Sequence, residues 1–547
     1  MIPTGDGPYA CPLLIKQLLR MPQVHAPDQE IVYRDRVRQT YRDLFARIGR
    51  LGSALSGLGV RLGDTVAVAD WDSHRYLEAY FAVPMLGATL MTVNVRLSPE
   101  QVAYTLDHCE AETLLLNTEF LPLLDAIRGR LPRLKRLILL SDGECDPAAA
   151  GAVGEYEALV ATGRPDHAFP DFDEHTRATT FYTTGTTGLP KGVYFSHRQI
   201  VLHTLAGLAG LASAPGSQRF DRGDVYMPLT PMFHVHAWGL PYVATLLGVK
   251  QVYPGRYVPD EILALRAREG VTFSHCVPTI LQMLLLAPSG RDMDLSGWKM
   301  VIGGSALTAG LATQAVTRGL DLFAGYGMSE TCPILTLAQL RPEELALSPE
   351  QTVPARCRTG LPLPLVDLRV VGADQAEVPH DDHAQGEVVV RAPWLTQGYT
   401  KNPEATAQLW AGGWLHTQDI GRVSPGGSLQ ITDRIKDVIK SGGEWISSLE
   451  LETLISRHPA VAEVAVLGVP DVRWGERPLP VVVRRAGCEA VGAEVIIAHL
   501  QACAVAGQIS RFAVPARVVF VEALEKTSVG KLNKRLMRER YAVAAST

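Results

Sequence analysis

The sequence has few of the features that mark secreted, metal-binding or membrane-spanning proteins. Its 547 residues include only eight cysteines, and none of them forms a Cys-x-x-Cys pair or a metal-ligand spacing. This excludes a disulfide framework and a zinc site, and it predicts reduced thiols in a cytoplasmic protein. The N-terminal residues also lack the basic segment and the apolar run of a signal peptide.

A strong charge of either sign is missing as well. The 52 Lys and Arg residues nearly balance the 57 Asp and Glu residues, which leaves a net charge of −5. This balance gives no reason to expect a nucleic acid or an anionic membrane as a partner. The most apolar long stretch, 229–249, contains His234, His236 and two prolines. It is typical of a buried segment beside a cavity rather than of a membrane span, so stable membrane insertion is not expected.

The length and the pattern of the chain predict several layered α/β units. A chain of this size exceeds one hydrophobic core, so two or three domains are expected. Helical spacing after a cap at Thr40, a strand at 65–69 and a capping box at Ser196 and Gln199 show helices alternating with strands. The predicted fold class is α/β, with a large N-terminal domain of several subdomains with layered sheets and a small, mobile α+β C-terminal domain.

The most informative segment, 182–192, reads Tyr-Thr-Thr-Gly-Thr-Thr-Gly-Leu-Pro-Lys-Gly and joins two apolar, strand-like runs. Glycines let backbone N–H groups turn inward, hydroxyls donate hydrogen bonds, and Lys191 adds positive charge. A solvated hairpin turn is the competing interpretation. The Walker pattern is excluded, because Lys191 precedes Gly192 instead of a Ser or Thr. The segment therefore predicts a polyphosphate-binding loop of a different kind.

Further segments combine glycine with aromatic, charged or hydroxyl side chains in ways that a plain core does not need. They are Pro228–Gly239 with two histidines and a tryptophan, Gly303–Ala306, Gly325–Thr331, Gly413–Gly421, Asp433–Asp437, Lys440–Trp445 and Lys526–Lys531.

In this order and spacing, the segments resemble the adenylate-forming superfamily of acyl-CoA synthetases, luciferases and peptide-synthetase adenylation domains. Pro-Met-Phe-His-Val-x-Ala-Trp and Ser-Gly-Gly-Glu-Trp-Ile-Ser-Ser are similar to the bacterial medium- and long-chain fatty-acyl-CoA synthetases. The resemblance implies a reaction in two steps. A carboxylate attacks the α-phosphate of ATP to give an acyl-adenylate and pyrophosphate, and the thiolate of coenzyme A then displaces AMP.

The resemblance also implies roles for individual residues. Glu330 is the expected Mg²⁺ ligand with the Thr183 hydroxyl nearby, Tyr326 stacks on adenine, and Asp419 binds the ribose. Lys531 is the catalytic lysine between the carboxylate and the α-phosphate. The full set expected to bind the nucleotide is Thr183, Thr184, Gly185, Thr186, Thr187, Gly188, Lys191, Gly304, Gly325, Tyr326, Asp419, Arg434, Lys436, Lys440 and Trp445.

The small domain is expected to rotate between the two steps, because one lysine cannot serve both geometries. The predicted boundaries are a large domain at 1–432, a hinge at 433–437 that contains Lys436, and a small domain at 438–547. A rigid charged surface turn is the alternative for the hinge. A homodimer formed through the large domain is implied by analogy alone.

The acid is expected to lie beside His234, Val235 and Trp238. In the family, His234 lies near the acyl carboxylate and counts with Lys531 and Glu330 as catalytic, and a tryptophan at position 238 gates a fatty-acid tunnel. Three positions depart from the fatty-acyl pattern: His236 replaces an asparagine, Gln418 replaces a glycine before Asp419, and Glu525 replaces a proline before Lys526.

The sequence predicts an AMP-forming ligase that joins a medium- to long-chain fatty acid to coenzyme A. Three alternatives stay open at this point. The acid is an aryl, short-chain or thioether carboxylate; the acceptor is the thiol of a carrier protein; or the chain binds a nucleotide or an acyl group without catalysis. The last is disfavoured, because Lys191, Glu330, Asp419 and Lys531 are all present.

Overall fold

A computed structural model shows a mixed α/β protein with four β-sheets, and this confirms the predicted fold class. The structure describes residues 9, 11–183, 189–291, 293–441, 444–527 and 532–541, without the side chains of 444 and 445. Within these residues, no helix is both long enough and apolar enough to cross a membrane.

The largest sheet has nine strands and is parallel at its centre. Its strand order is β16-β15-β14-β13-β12-β10-β11-β1-β2. The bounds are β1 Glu30–Tyr33, β2 Val37–Thr40, β10 Val225–Leu229, β11 Lys250–Tyr253, β12 Phe273–Cys276, β13 Lys299–Ile302, β14 Asp321–Gly327, β15 Ile334–Leu337 and β16 Leu361–Pro362.

A second large sheet has seven strands in the order β7-β6-β5-β3-β4-β8-β9. The bounds are β3 Thr65–Ala69, β4 Thr89–Thr92, β5 Ala111–Asn117, β6 Arg136–Leu140, β7 Gly154–Glu155, β8 Arg177–Tyr182 and β9 Gly192–Ser196. The antiparallel pair β8 and β9 flanks the predicted phosphate loop, as the two apolar runs indicated.

Two five-stranded sheets follow along the chain. The first contains β17 Asp367–Val371, β18 Gly386–Arg391, β19 Trp410–Ala411, β20 Trp414–Val423 and β21 Leu429–Arg434. The second contains β22 Ile439–Ser441, β23 Glu444–Ile446, β24 Val461–Asp471, β25 Gly475–Arg484 and β26 Val519–Val521. One sheet therefore ends at Arg434 and the next begins at Ile439.

The helices cover the sheets and lie between them. Their bounds are α1 Arg20–His25, α2 Tyr41–Gly57, α3 His74–Met85, α4 Pro99–His108, α5 Leu121–Ile127, α6 Tyr156–Thr162, α7 His197–Ala212, α8 Val235–Trp238, α9 Leu240–Leu247, α10 Pro259–Glu269, α11 Pro278–Leu286, α12 Ala309–Val316, α13 Val353–Arg356, α14 Pro403–Leu409, α15 Ser448–Ser456, α16 Ala493–Val505 and α17 Lys534–Tyr541.

The main core lies where the two large sheets face each other. It joins Val68 and Phe181 of the seven-stranded sheet to Tyr226 and Phe273 of the nine-stranded sheet. Every residue of α3 and of α9 is buried, as expected for helices enclosed by other elements on all sides. The capping boxes predicted at Thr40 and Ser196 begin α2 and α7.

Candidate active site

The carboxyl ends of β13 and β14 meet beside a cleft of about 420 Å³. Ligands of open α/β sheets commonly bind at this edge. The lining joins the predicted acid-side and nucleotide-side residues in one space: His234, Val235, Trp238, Val301, Gly303, Gly304, Gly325, Tyr326, Gly327, Met328, Ser329, Pro333 and Ile334.

Glycine is required where β13 reaches the cleft. Gly304 has a φ of +79°, a left-handed conformation that L side chains rarely adopt. A Cβ atom on Gly303 would lie 2.8 Å from the Gly325 carbonyl oxygen and 3.0 Å from the Trp238 indole. The two glycines therefore let the Trp238 ring and the β14 backbone close on the cleft from opposite sides.

The segment predicted to contact the acid forms a left-handed turn at the cleft. Val235, His236, Ala237 and Trp238 have φ values of 48°, 52°, 47° and 61°. Such a conformation costs about 1–2 kcal/mol for each L residue, so the surrounding core must hold it in place. The turn places Val235 and Trp238 at the cleft. It also buries His236 completely, with ring contacts to Tyr80, Phe181 and Tyr242.

Burial keeps the histidine behind this turn neutral. The pKa of His236 is lowered to about 3, chiefly by desolvation. Neither of its ring nitrogens has a hydrogen-bond partner among the described residues. The replacement of asparagine by histidine at this position therefore adds aromatic bulk to the core and no charge to the site.

Three of the residues predicted to bind the nucleotide form a connected polar group. The Tyr326 hydroxyl donates a hydrogen bond to Asp419 Oδ2 at 2.7 Å. The Arg434 Nε lies 3.1 Å from Asp419 Oδ1, because β20 and β21 pair Asp419 directly with Arg434. Burial and the neighbouring carboxylate raise the pKa of Tyr326, so the phenol stays protonated and keeps donating. Gln418, where the resemblance leads to the expectation of glycine, has a φ of +59°, a left-handed conformation that glycine adopts more readily than glutamine.

Glu330 and Lys191, which are predicted to bind Mg²⁺ and phosphate, both contact one tyrosine, Tyr399. The Tyr399 hydroxyl donates a hydrogen bond to Glu330 Oε1 at 2.6 Å, and Lys191 Nζ lies 4.7 Å from the centre of the Tyr399 ring. The Thr183 N–H donates to the Lys191 carbonyl at 2.9 Å, which joins the two ends of the predicted loop. Thr183, Lys191 and Glu330 are thus brought together.

No motif of the sequence marks Tyr399 as a site residue. It reaches Glu330 because the chain at 399–400 pairs with β9, through a bridge to Val193 and a Thr400 N–H bond to the Gly192 carbonyl at 2.8 Å. The only local signal was an aromatic residue after Gly398 and before a proline-initiated helix. That pattern does not reveal a partner 69 positions away.

Some predicted residues lie outside the described residues. They are Thr184, Gly185, Thr186, Thr187, Gly188 and Lys531. Lys440 and Trp445 are paired across β22 and β23, and the side chain of Trp445 is likewise outside the description. Lys436 follows β21 in the connection to β22.

The oxygen-bearing side chains of this site suit a hard cation that is bound mainly by phosphate oxygens. In the described part of the chain, no group of three or more His, Cys, Asp and Glu side chains could hold a metal ion by itself. One buried carboxylate, Glu330, suits a Mg²⁺ ion that takes its remaining ligands from phosphates, water and the hydroxyl predicted at Thr183.

Comparison with known proteins gives close matches over nearly the whole chain. A long-chain-fatty-acid–CoA ligase of Thermus thermophilus is 42% identical over 92% of this chain and 90% of its own length. A 3-methylmercaptopropionyl-CoA ligase of Ruegeria pomeroyi is 39% identical over 90% of both chains. A medium-chain-fatty-acid–CoA ligase of Ectopseudomonas oleovorans is 34% identical over 92% of this chain and 91% of its own.

The fold comparison agrees with these relatives. The crystal structure of an anthranilate CoA ligase in complex with anthranoyl-AMP superposes with a TM-score of 0.84, at 25% identity, over 98% of this chain and 99% of that one. The family model described as AMP-binding enzyme matches residues 21–400, and the model for the AMP-binding enzyme C-terminal domain matches residues 450–531. The chain therefore belongs to the AMP-binding enzymes of the adenylate-forming superfamily.

Proposed function

We propose that the protein catalyses the AMP-forming ligation of a medium- to long-chain fatty acid to coenzyme A. The observation that carries this proposal is the cleft itself. One wall, at Trp238 and Val301, is apolar, and the other, at Gly325 and Tyr326, belongs to the group that includes Asp419. An apolar acid and a nucleotide can thus meet at one point, and the names of the relatives support the choice of acid.

In the first step, a carboxylate oxygen of the acid forms a bond to the α-phosphorus of ATP, and the bond to pyrophosphate breaks. In the second step, the sulfur of coenzyme A forms a bond to the acyl carbon, and AMP leaves with its phosphate oxygen. Asp419 accepts hydrogen bonds from the ribose hydroxyls, and Tyr326 offers a ring face to adenine. Lys191 compensates charge on the departing pyrophosphate.

Two further parts complete the proposed site. Glu330 and Thr183 would hold Mg²⁺, and the ion would supply positive charge that neutralises the phosphates. Lys531 stabilises the charge that builds between the carboxylate and the α-phosphate. His234 lies beside the acyl carboxylate.

The small domain at 438–547 rotates about 433–437, relative to the large domain at 1–432, to exchange Lys531 for the Lys440–Trp445 turn. The change of sheet between Arg434 and Ile439 supports this division. A cytoplasmic location is supported by the eight cysteines, all described and all unpaired. A homodimer is part of the proposal by analogy, and sedimentation of the purified protein tests it.

A turnover assay tests the function. Purified protein receives ATP, Mg²⁺ and one acid at a time, with and without coenzyme A, while AMP and pyrophosphate are measured. Formation of AMP and acyl-CoA with octanoate or hexadecanoate is the expected result. Turnover confined to aromatic or short acids would refute the fatty-acid assignment, and the absence of turnover on every acid would refute catalysis. Pyrophosphate exchange without thioester would favour a carrier-protein acceptor.

A thioether acid is the second candidate, because the Ruegeria relative is named for such a substrate. The assay separates it directly. A higher kcat/KM for 3-methylmercaptopropionate than for octanoate supports this candidate, and the reverse order supports the fatty acid.

A further inference from the structure

Hydrogen bonds from the seven-stranded sheet hold the chain just before the left-handed turn at the cleft. Met232 and Phe233 follow β10 and lead into His234 and the turn 235–238. Three side chains bond to the backbone of this segment: Asp72, Tyr80 and Thr92. All three lie on β4 or between β3 and β4, whereas β10 belongs to the nine-stranded sheet. The bonds therefore tie the start of the turn to the neighbouring sheet.

Asp72 holds the N–H group of Met232. The Met232 N–H donates to Asp72 Oδ1 at 2.8 Å, and the Tyr257 hydroxyl donates to Asp72 Oδ2 at 2.6 Å. The backbone of Asp72 is fixed as well, because the Gly255 N–H donates to its carbonyl at 2.9 Å. Asp72 is only 2% exposed, so little water can reach the carboxylate to replace a lost bond.

Tyr80 and Thr92 hold the two carbonyl groups that follow. The Tyr80 hydroxyl donates to the Met232 carbonyl, and the Thr92 hydroxyl donates to the Phe233 carbonyl at 2.9 Å. Tyr80 also contacts the ring of His236 in the turn, at a centroid distance of 5.8 Å. Three polar groups of the backbone in direct succession are thus bonded to buried side chains immediately before His234.

The pairing of β3 with β4 brings two of these side chains to one edge of their sheet. Val68 of β3 pairs in parallel with Thr92, the last residue of β4, and Asp72 follows the end of β3 by three positions. Since the two strands run in the same direction, both side chains lie where their strands end. The position of the turn therefore depends on a rigid sheet and on few degrees of freedom.

We propose that Asp72, together with Tyr80 and Thr92, positions the acid by fixing the turn that contacts it. This inference rests on the proposed function, in which the acid lies beside His234 and Val235. Asp72 does not line the cleft and acts only through the backbone. Four consecutive left-handed residues are strained and need support from outside the turn. A displaced turn fits the acid less well and misplaces its carboxylate for reaction.

Three variants remove or preserve these bonds. Asp72→Ala removes the acceptor, and Asp72→Asn keeps an oxygen for the Met232 N–H. Thr92→Val removes one hydroxyl and keeps the shape of the side chain. Burial raises the pKa of Asp72 to about 7, so the assays are run at pH 8, where the ionised carboxylate accepts both bonds. The kcat and KM values are measured with octanoate and ATP varied in turn, and urea denaturation shows whether each variant is folded.

Asp70→Asn is the matched control. Asp70 lies on the same connection between β3 and α3 and is fully buried. Its carboxylate accepts hydrogen bonds from Ser73 and Asn117 and none from the segment that leads into the turn. A general disturbance of this connection should therefore affect Asp70→Asn as well as Asp72→Ala.

We expect Asp72→Ala to raise the KM for the acid roughly tenfold or more and to lower kcat, because it removes a hydrogen bond to a charged group. Thr92→Val should raise the same KM about fivefold, for the loss of a neutral bond. In both variants the KM for ATP should stay within about twofold of the wild type. Asp72→Asn should restore the KM for the acid to within about threefold, and Asp70→Asn should leave it unchanged.

An unchanged KM for the acid in Asp72→Ala and Thr92→Val overturns the inference, and so does an equal rise in the KM for ATP or the same effect in Asp70→Asn. If Asp72→Ala does not fold, Thr92→Val decides by the same criterion. These outcomes leave the proposed function intact, since the wild type still turns over. The absence of wild-type turnover on every acid refutes the proposed function, and the inference falls with it.

Discussion

The hydroxyl of Tyr326 donates a hydrogen bond to the carboxylate of Asp419 at 2.7 Å, across 93 positions of the chain. The two residues were expected to contact different parts of one nucleotide, adenine and ribose. Their direct bond means that the position of the carboxylate depends on the tyrosine. Arg434, 3.1 Å from the other carboxylate oxygen, holds Asp419 from the second side.

Tyr326→Phe should weaken ATP binding while it preserves the aromatic face. A hydrogen bond to a charged group contributes about 1.5–3 kcal/mol, so the KM for ATP is expected to rise roughly tenfold or more. The KM for the acid should stay within about twofold, since the tyrosine hydroxyl faces Asp419. Steady-state kinetics with each substrate varied in turn checks both statements. An unchanged KM for ATP together with a fall in kcat would show that the bond has no part in holding the nucleotide.

Tyr399→Phe should change the dependence on Mg²⁺. The substitution removes the donor that fixes Glu330 Oε1 but keeps the ring beneath the Lys191 ammonium. Loss of an outer partner of a metal-binding carboxylate commonly costs roughly tenfold or more in metal affinity. We expect the Mg²⁺ concentration for half-maximal activity to rise by at least that factor, with near-normal activity at saturating Mg²⁺. If the Mg²⁺ concentration for half-maximal activity does not change, the result would argue against Glu330 as a ligand of the metal.

These residues show which structural features a local sequence pattern can predict and which it cannot. Local patterns gave α2 and α7, because a capping box is encoded within four residues. The bonds of Tyr326 and Tyr399 depend on how distant strands pair, and periodicity contains no information about that. The left-handed turn at Val235–Trp238 had no local signal either, because nothing in its composition marks four consecutive positive φ angles.

Lys531→Ala should separate the two half-reactions. We expect formation of the adenylate, measured by pyrophosphate release without coenzyme A, to fall by at least about a thousandfold, as for the loss of a main charge-stabilising donor. Conversion of supplied acyl-AMP and coenzyme A to acyl-CoA should stay within about threefold of the wild type, because the lysine acts only in the first geometry. Lys526→Ala is the control, since Lys526 is ion-paired with Glu463 at 2.7 Å and should affect neither step strongly. Equal losses in both half-reactions would contradict the proposed rotation of the small domain between the two steps.

Lys534→Met should destabilise the small domain. The Lys534 ammonium is buried, 2.7 Å from Glu452 and 2.6 Å from the Ser448 hydroxyl oxygen. Removing one partner leaves a buried carboxylate uncompensated, which costs about 3–5 kcal/mol. Arg535→Ala, on the same helix, removes an exposed pair with Glu539 and should cost about 0.5 kcal/mol or less. Chemical denaturation of the two variants compares these costs, and similar values for both would show that the buried network is not stabilising.

Buried neutral histidines should make the protein sensitive to mild acid. Burial lowers the pKa of four of them to about 3: His197, His203, His236 and His275. In the unfolded chain their pKa is about 6.5, so between these values the unfolded state binds more protons than the folded state. Their contribution to stability is complete above about pH 6.5 and is lost as the pH falls toward 3. Asp72 acts in the opposite direction, since burial raises its pKa to about 7 and acidification then favours the folded state.

Burial also raises the pKa values of Asp433, Glu450 and Glu452, which act in the same direction as Asp72. The four histidines bind protons on unfolding throughout the range from pH 6.5 to 5, so stability should fall over this range. Each histidine contributes at most about 1.4 kcal/mol per pH unit, or roughly 2 kcal/mol at pH 5. His236→Phe removes one of these groups while keeping an aromatic ring, so the fall in the urea midpoint over this range should be shallower than in the wild type. His175→Ala removes an exposed imidazole and should leave the slope unchanged. A wild-type midpoint that is flat across this range, or the same slope in His236→Phe, would show that these imidazoles become protonated without unfolding the chain.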